Sequence, residues 1–173
     1  TTPIIDMTAS LAAAWVGGGD VVIGRGGELG RLQTDLEEKV TSLRILSEEP
    51  LVLLAGTEPA HLYQITGDGL VEPLEAFDQV EGRDTWGTPW GGPACVRCLA
   101  DHGKWLYADI HVGGIVRSGD GGESWTPINA EIHQDVHQIV THPSAPERLY
   151  ANTADGVFIS EDRGDSWRHA VDG

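Results

Sequence analysis

The chain has 173 residues, a formal net charge of −16 and an isoelectric point of about 4.5. So acidic a surface repels nucleic-acid phosphates and anionic lipid, and no apolar run reaches the roughly 18 residues of a membrane span. With 23 glycines the composition suits a turn-rich all-β chain, and with no basic-then-apolar segment at its start the expected compartment is the cytoplasm, or outside the cell where a signal segment has been removed.

Taken in order, residues 10–40 predict a faint four-stranded unit. Its strands are expected at residues 21–23 and 29–33, its turns at residues 17–19 and at Gly26-Gly27, and its last strand and connection at residues 36–40. Residues 41–80 predict a degenerate second unit, with an apolar strand at residues 51–56 and another from Leu62 into Thr66-Gly67-Asp68-Gly69. Residues 81–93, E-G-R-D-T-W-G-T-P-W-G-G-P, read as an inserted loop. Two clear units follow, over residues 94–129 and 136–173. In the first, Trp105-Leu106-Tyr107-Ala108, a Gly113-Gly114 turn and Ile115-Val116-Arg117-Ser118 form a hairpin. Arg148-Leu149-Tyr150-Ala151, Asp155-Gly156 and Val157-Phe158-Ile159-Ser160 repeat it in the second, and residues 94–100 and 136–141 supply the strands that precede each hairpin.

Both hairpins run into the same octet, S-G-D-G-G-E-S-W at residues 118–125 and S-E-D-R-G-D-S-W at residues 160–167, at a spacing of 42 residues. That spacing matches one four-stranded blade of a β-propeller. The expected fold is therefore all-β: three to four antiparallel blades, part of a ring of six to eight. The octet resembles the Asp-box, or BNR repeat, of sialidases and sortilin-type receptors. The resemblance implies a turn between the third and fourth strands, in which Ser118, Asp120, Gly122, Trp125 and Ser160, Asp162, Gly164, Trp167 are structural. Ser and Asp oxygens mimic a backbone turn, Gly supplies a positive φ, and the indole packs between blades. A box of this sort names a fold and leaves function open. The chain starts at Thr1 without Met and stops six residues after Trp167, which is the expectation for one part of a larger propeller, or for halves assembled as a homo-oligomer.

An up-and-down blade sends its loops to two ends, and residues 81–93, 109–113, 130–135 and 152–155 share the end away from the octets. The insertion adds about ten residues to the repeat, since 53 residues separate Ala55 from Ala108 but 43 separate Ala108 from Ala151. Trp86 and Trp90 offer an aromatic wall for a sugar or other flat ligand, or a plug over the channel, and Asp84 on the same loop is a candidate carboxylate beside them. Asp109, His111, His133, Asp135 and His137 collect nearby, with His142 further along. Such residues suit a divalent metal such as zinc or manganese at Asp109, His111 and His137, an acid–base pair, or the ordering of loops. Cys95 and Cys98 point to opposite faces of a strand, which reads as two small core residues in a reducing compartment. Sialidases carry an arginine triad and an early Arg-x-Pro; this chain has no Arg-x-Pro, and Arg117, Arg163 and Arg168 stand beside the octets. The reading is a scaffold that binds a small molecule, glycan or protein on its octet-free face. The alternative is a glycoside hydrolase-like or metal-dependent enzyme at the channel mouth.

Overall fold

The computed structural model describes residues 4–128 and 131–170, in which every regular element apart from two short 3-10 turns is a strand. Strands β1 (Ile4–Met7), β2 (Leu11–Gly17), β3 (Asp20–Arg25) and β4 (Glu28–Gln33) form sheet 1. Sheet 2 holds β5 (Lys39–Glu48), β6 (Leu51–Glu58), β7 (Leu62–Thr66) and β8 (Val71–Pro73). Sheet 3 holds β9 (Val96–His102), β10 (Trp105–Ile110), β11 (Gly114–Ser118) and β12 (Thr126–Pro127). Sheet 4 holds β13 (Val136–His142), β14 (Ala145–Thr153), β15 (Gly156–Ser160) and β16 (Arg168–His169). Each is an antiparallel meander in chain order, because the connections are too short for any other path. Gly26 and Gly27, at φ 59° and 88°, close the β3–β4 hairpin in the two-residue turn that demands positive φ at both positions.

Alternation along the strands gives each sheet two faces and assigns them. In β2, Leu11, Ala13 and Trp15 are buried while Ala12, Ala14 and Val16 turn the other way. The buried side meets Leu43, Ile45, Leu53, Ala55 and Ile65 of sheet 2. A second core joins Leu54 and Leu62 of sheet 2 to Val96, Leu106, Ala108 and Val116 of sheet 3, sealed by Phe77 and Trp125. A third joins Tyr107 and Ile115 of sheet 3 to Ile139, Leu149 and Ala151 of sheet 4. Side chains stitch the same three joints near the first strands. Ile45 N donates to Asp6 Oδ2 at 2.7 Å, the Thr41 hydroxyl donates to Val96 O at 2.7 Å, and the Thr141 hydroxyl donates to Asp101 O at 2.9 Å. Gly56 shows how tight the middle joint is: a Cβ there would lie 2.5 Å from the Val96 side chain and 2.4 Å from Ser42 Oγ. Among the described residues the cores number three for four sheets, and none of them links sheet 4 back to sheet 1. The arrangement is an open arc.

Sheets occupy residues 4–33, 39–73, 96–127 and 136–169, against expected units of 10–40, 41–80, 94–129 and 136–173. Asn129 and residues 171–173 of those units lie outside the described residues. The expected last strand at residues 36–40 is a link instead. Thr34 N donates to Gly19 O at 2.7 Å and ends sheet 1, Leu36 drops into the first core, and Val40 already belongs to β5. Two strands are missed at the start, β1 and β2; the I-I-D-M of β1 pairs with Ala12, Ala13, Ala14 and Trp15 of β2. A 3-10 turn at Glu75–Gln79 follows β8 within the second unit, and another at Arg83–Thr85 lies in the insertion.

Candidate functional site

The loop end of the joint between sheets 3 and 4 gathers most of the predicted polar residues. Asp109 sits near the end of β10, paired across the sheet with Cys98 on one side and Ile115 on the other. That row faces sheet 4, so the carboxylate is enclosed: Asp109 is 0% exposed and neither of its oxygens has a hydrogen-bond partner. Burial pushes its carboxyl well above the usual range, with Arg97 pulling down and Asp135 pushing up. Arg97 crosses the joint, donating to Val136 O at 3.1 Å and standing 3.6 Å from Asp135 Oδ1. His137 Nε2 lies 3.4 Å from Asp135 Oδ2. His111 follows the strand, half-buried, and burial together with the Arg97 charge lowers its pKa.

Loops from neighbouring elements are bonded into one surface here. His111 N donates to Cys95 O at 2.8 Å, Gly114 N to Gln134 O at 3.0 Å, and Ala154 N to Asp135 O at 3.0 Å. Gly87 N of the insertion donates to Val112 O at 3.2 Å. Val112 holds φ 53°, a left-handed conformation that a β-branched residue resists, so this turn is kept in place by its neighbours.

The two insertion tryptophans separate. Trp86 is half-buried and packs on the second core: its ring lies 5.6 Å from Phe77, and the Arg83 guanidinium stands 5.0 Å from its centroid. Trp90 is 74% exposed and its ring centroid lies 5.7 Å from that of His111. Asp84 is exposed on the second 3-10 turn, in a shallow depression of about 490 Å³ also lined by Asp78, Gln79 and Arg83. His133 accepts Asp135 N at 3.0 Å through Nδ1, and His142 accepts Ser144 N at 3.1 Å in the same manner, so both order turns. The two cysteines are free and half-buried, and burial raises both thiols. The metal expected at Asp109, His111 and His137 finds no assembled cage: among the described residues no group of three or more His, Cys, Asp or Glu could hold an ion. Ala130, in the expected loop at residues 130–135, lies outside the described residues.

At the opposite end the two octets fold alike. Ser118 Oγ donates to Asp120 Oδ1 at 2.7 Å and accepts Gly122 N at 2.8 Å, while Asp120 accepts Ser124 N at 3.0 Å and its hydroxyl at 2.5 Å. Ser160, Asp162, Gly164 and Ser166 reproduce all four contacts. The hydroxyl and amide donors hold Asp120 and Asp162 down to about 2. The indoles differ: Trp125 donates to Gly122 O of its own turn, and Trp167 to Ile128 O of the preceding sheet at 2.7 Å. The degenerate copy keeps the contact from the Thr66 hydroxyl to Asp68. Sequence reading missed the cation stack between the octets, where Lys104, Arg117 and Arg163 stand 5.8, 5.4 and 4.9 Å from the Trp105 ring. No residue spacing signals it, since it joins two sheets.

No protein-family model matches the sequence, and no curated protein matches it either. Solved structures do match in shape. A GH74 enzyme of Niastella koreensis superposes with a TM-score of 0.66 at 16% identity, covering 95% of this chain and 29% of its own. YCF48 from Cyanidioschyzon merolae superposes with a TM-score of 0.63 at 14% identity, covering 94% of this chain and 51% of its own. A YCF48 structure bound to D1 peptide gives 0.56 at 15% identity, covering 79% and 42%. The fold is that of a β-propeller. Its four sheets are four blades, and the chain spans between 29% and 51% of the length of these neighbours. At such identities the likeness establishes the fold alone, and the residues of the loop face are this chain's own.

Proposed function

We propose that this propeller segment is a binding scaffold whose octet-free loop face captures a cationic segment of another protein, with Trp90 as the anchor. One observation carries the reading: Trp90 stands 74% exposed on a loop that is bonded to the turns beneath it, next to His111. An exposed, held indole is the residue type that dominates binding energy at protein interfaces. The charge of −16 selects a basic partner and speeds its encounter. The YCF48 propeller that binds D1 peptide supports a protein ligand by analogy of fold. On this reading the octets are Asp-boxes, turn locks remote from the ligand.

A second reading, a glycoside hydrolase-like site, draws on Asp109, whose raised carboxyl suits a general acid beside Asp135. Against it, Asp109 has no exposed surface and touches no substrate while blades 3 and 4 stay together. The experiment presents short synthetic peptides alternating arginine with leucine, the same peptides with glutamate for arginine, and neutral β-glucan oligosaccharides. Arginine peptides are expected to bind, about tenfold or more weaker to Trp90→Ala, and weaker in salt. Binding and hydrolysis of the oligosaccharides, lost in Asp109→Asn, would install the second reading.

A further inference from the structure

We propose that the two open faces of the arc cover each other in a second copy of this chain, so that two four-bladed copies close one ring of eight blades. The joint between blades 3 and 4 is the template. In blade 3, the rows Ala100–Tyr107–Arg117 and Cys98–Asp109–Ile115 face blade 4. The paired strands of the two hairpins correspond in register, Leu106 opposite Ser118 and Leu149 opposite Ser160, with one residue fewer in the turn of blade 4, which makes its matching rows Val140–Tyr150–Ile159 and Gln138–Asn152–Val157. Tyr107 and Ile115 have no exposed surface, because a blade lies on them. Val140 and Val157, in the same rows of the next blade, are 43% and 41% exposed. The outer face of blade 4 has the composition of a blade joint without the blade.

Blade 1 shows the complementary face. Its inner rows, including Ile4–Trp15–Val21–Leu32, pack on blade 2. Its outer rows are Ile5–Ala14–Val22–Arg31 and Met7–Ala12–Gly24–Leu29, with Met7 69% and Leu29 80% exposed. A sheet apolar on both faces is a sheet made to be covered on both. The charge on these faces is paired at their borders. None of the 27 acidic residues lies in the four outer rows themselves; Arg31 ends one, Arg168 extends the Ile159 row, and they are ion-paired with Asp20 and Glu161, one row further along.

The occupant follows from having one face of each kind at opposite ends of one chain. A twofold rotation sets blade 4 of each copy on blade 1 of the other, covers all four faces and leaves nothing to propagate. The copies repel at low salt because each carries −16, so added salt strengthens the pair. The loop-face reading does not enter this argument.

Light scattering on the 173-residue chain, from micromolar to about 100 µM, in dilute buffer and in about 0.5 M salt, tests it. The expected mass is twice 18.5 kDa, reached at lower concentration in the salt. Val157→Glu and Met7→Glu, each on one face and each exposed in the single copy, are expected to give 18.5 kDa with an unchanged circular dichroism spectrum. Leu29→Lys replaces Met7→Glu where that variant fails to fold. A native chain that stays at 18.5 kDa throughout overturns the proposal, as does a mass that grows past two copies, or a dimer that survives both face substitutions.

Discussion

Replacing Asp109 by Asn should make the protein more stable at neutral pH. The side chain is enclosed between blades 3 and 4 with neither oxygen hydrogen-bonded, while Oδ1 of Asp135, which raises its pKa, is buried without a hydrogen bond too, 3.6 Å from Arg97. A buried polar group left unsatisfied costs about 1–3 kcal/mol, and a charge costs more. Asn has the same shape, carries no charge and brings two N–H donors to a neighbourhood short of them. A gain of about 1–3 kcal/mol is expected at pH 7, a rise of roughly 2–4 °C in Tm for each kcal/mol in a chain of this size. The sign with pH follows from the raised folded-state pKa. The protonated carboxyl contributes stability that is full below its unfolded value of about 3.9 and is lost as pH rises through the folded value. The gap between variant and native protein should therefore be absent near pH 3.5 and open toward neutrality. Thermal unfolding followed by circular dichroism across that range measures it. A variant less stable than the native protein at pH 7, or a gap independent of pH, would refute the reasoning and show Asp109 to be an ionised, partnered group.

The octet aspartates shift the other way. With Asp120 and Asp162 at about 2, the turns they hold contribute stability present above pH 4 and lost as pH falls through about 2. Carboxyl NMR titration should find both values there, and Ser118→Ala should raise Asp120 alone, since Ser118 is one of its donors. Gly56→Ala should destabilise by about 1–3 kcal/mol through overpacking, because its Cβ meets Val96 and Ser42 at 2.5 and 2.4 Å; urea unfolding with an unchanged m-value is the check.

Blades 3 and 4 were legible in the sequence because their octets and Leu-Tyr-Ala strands repeat in full, and chain-local hydrogen bonds such as Ser118 to Asp120 build the turn from the residues quoted. Blade 1 was only partly legible. Its strands β3 and β4 carry glycine hairpin signals, whereas A-A-A-W in β2 has no β-branched residue and I-I-D-M in β1 gains its place only by pairing with it. Residues 36–40 misled because an apolar residue in a short link, Leu36, looks like a strand residue until the core it fills is known. Within the site, sequence alone placed Asp109, His111, Asp135 and His137 at one end. It could not tell Trp86 from Trp90, since the difference lies in Phe77 and Arg83, which sit 5.6 Å from the Trp86 ring and 5.0 Å from its centroid respectively. Nor could it show Asp109 as buried, because alternation assigns a face and the covering blade comes from residues 27 or more positions later.

The most direct test of the binding account is an NMR titration of the native protein with the arginine–leucine peptide, following the six indole N–H resonances, with Trp90 assigned by its loss in Trp90→Ala. The account predicts that Trp90 moves with the imidazoles of His111 and His137, while Trp125 and Trp167 at the octets stay still. Movement of the octet indoles with Trp90 unmoved would contradict it.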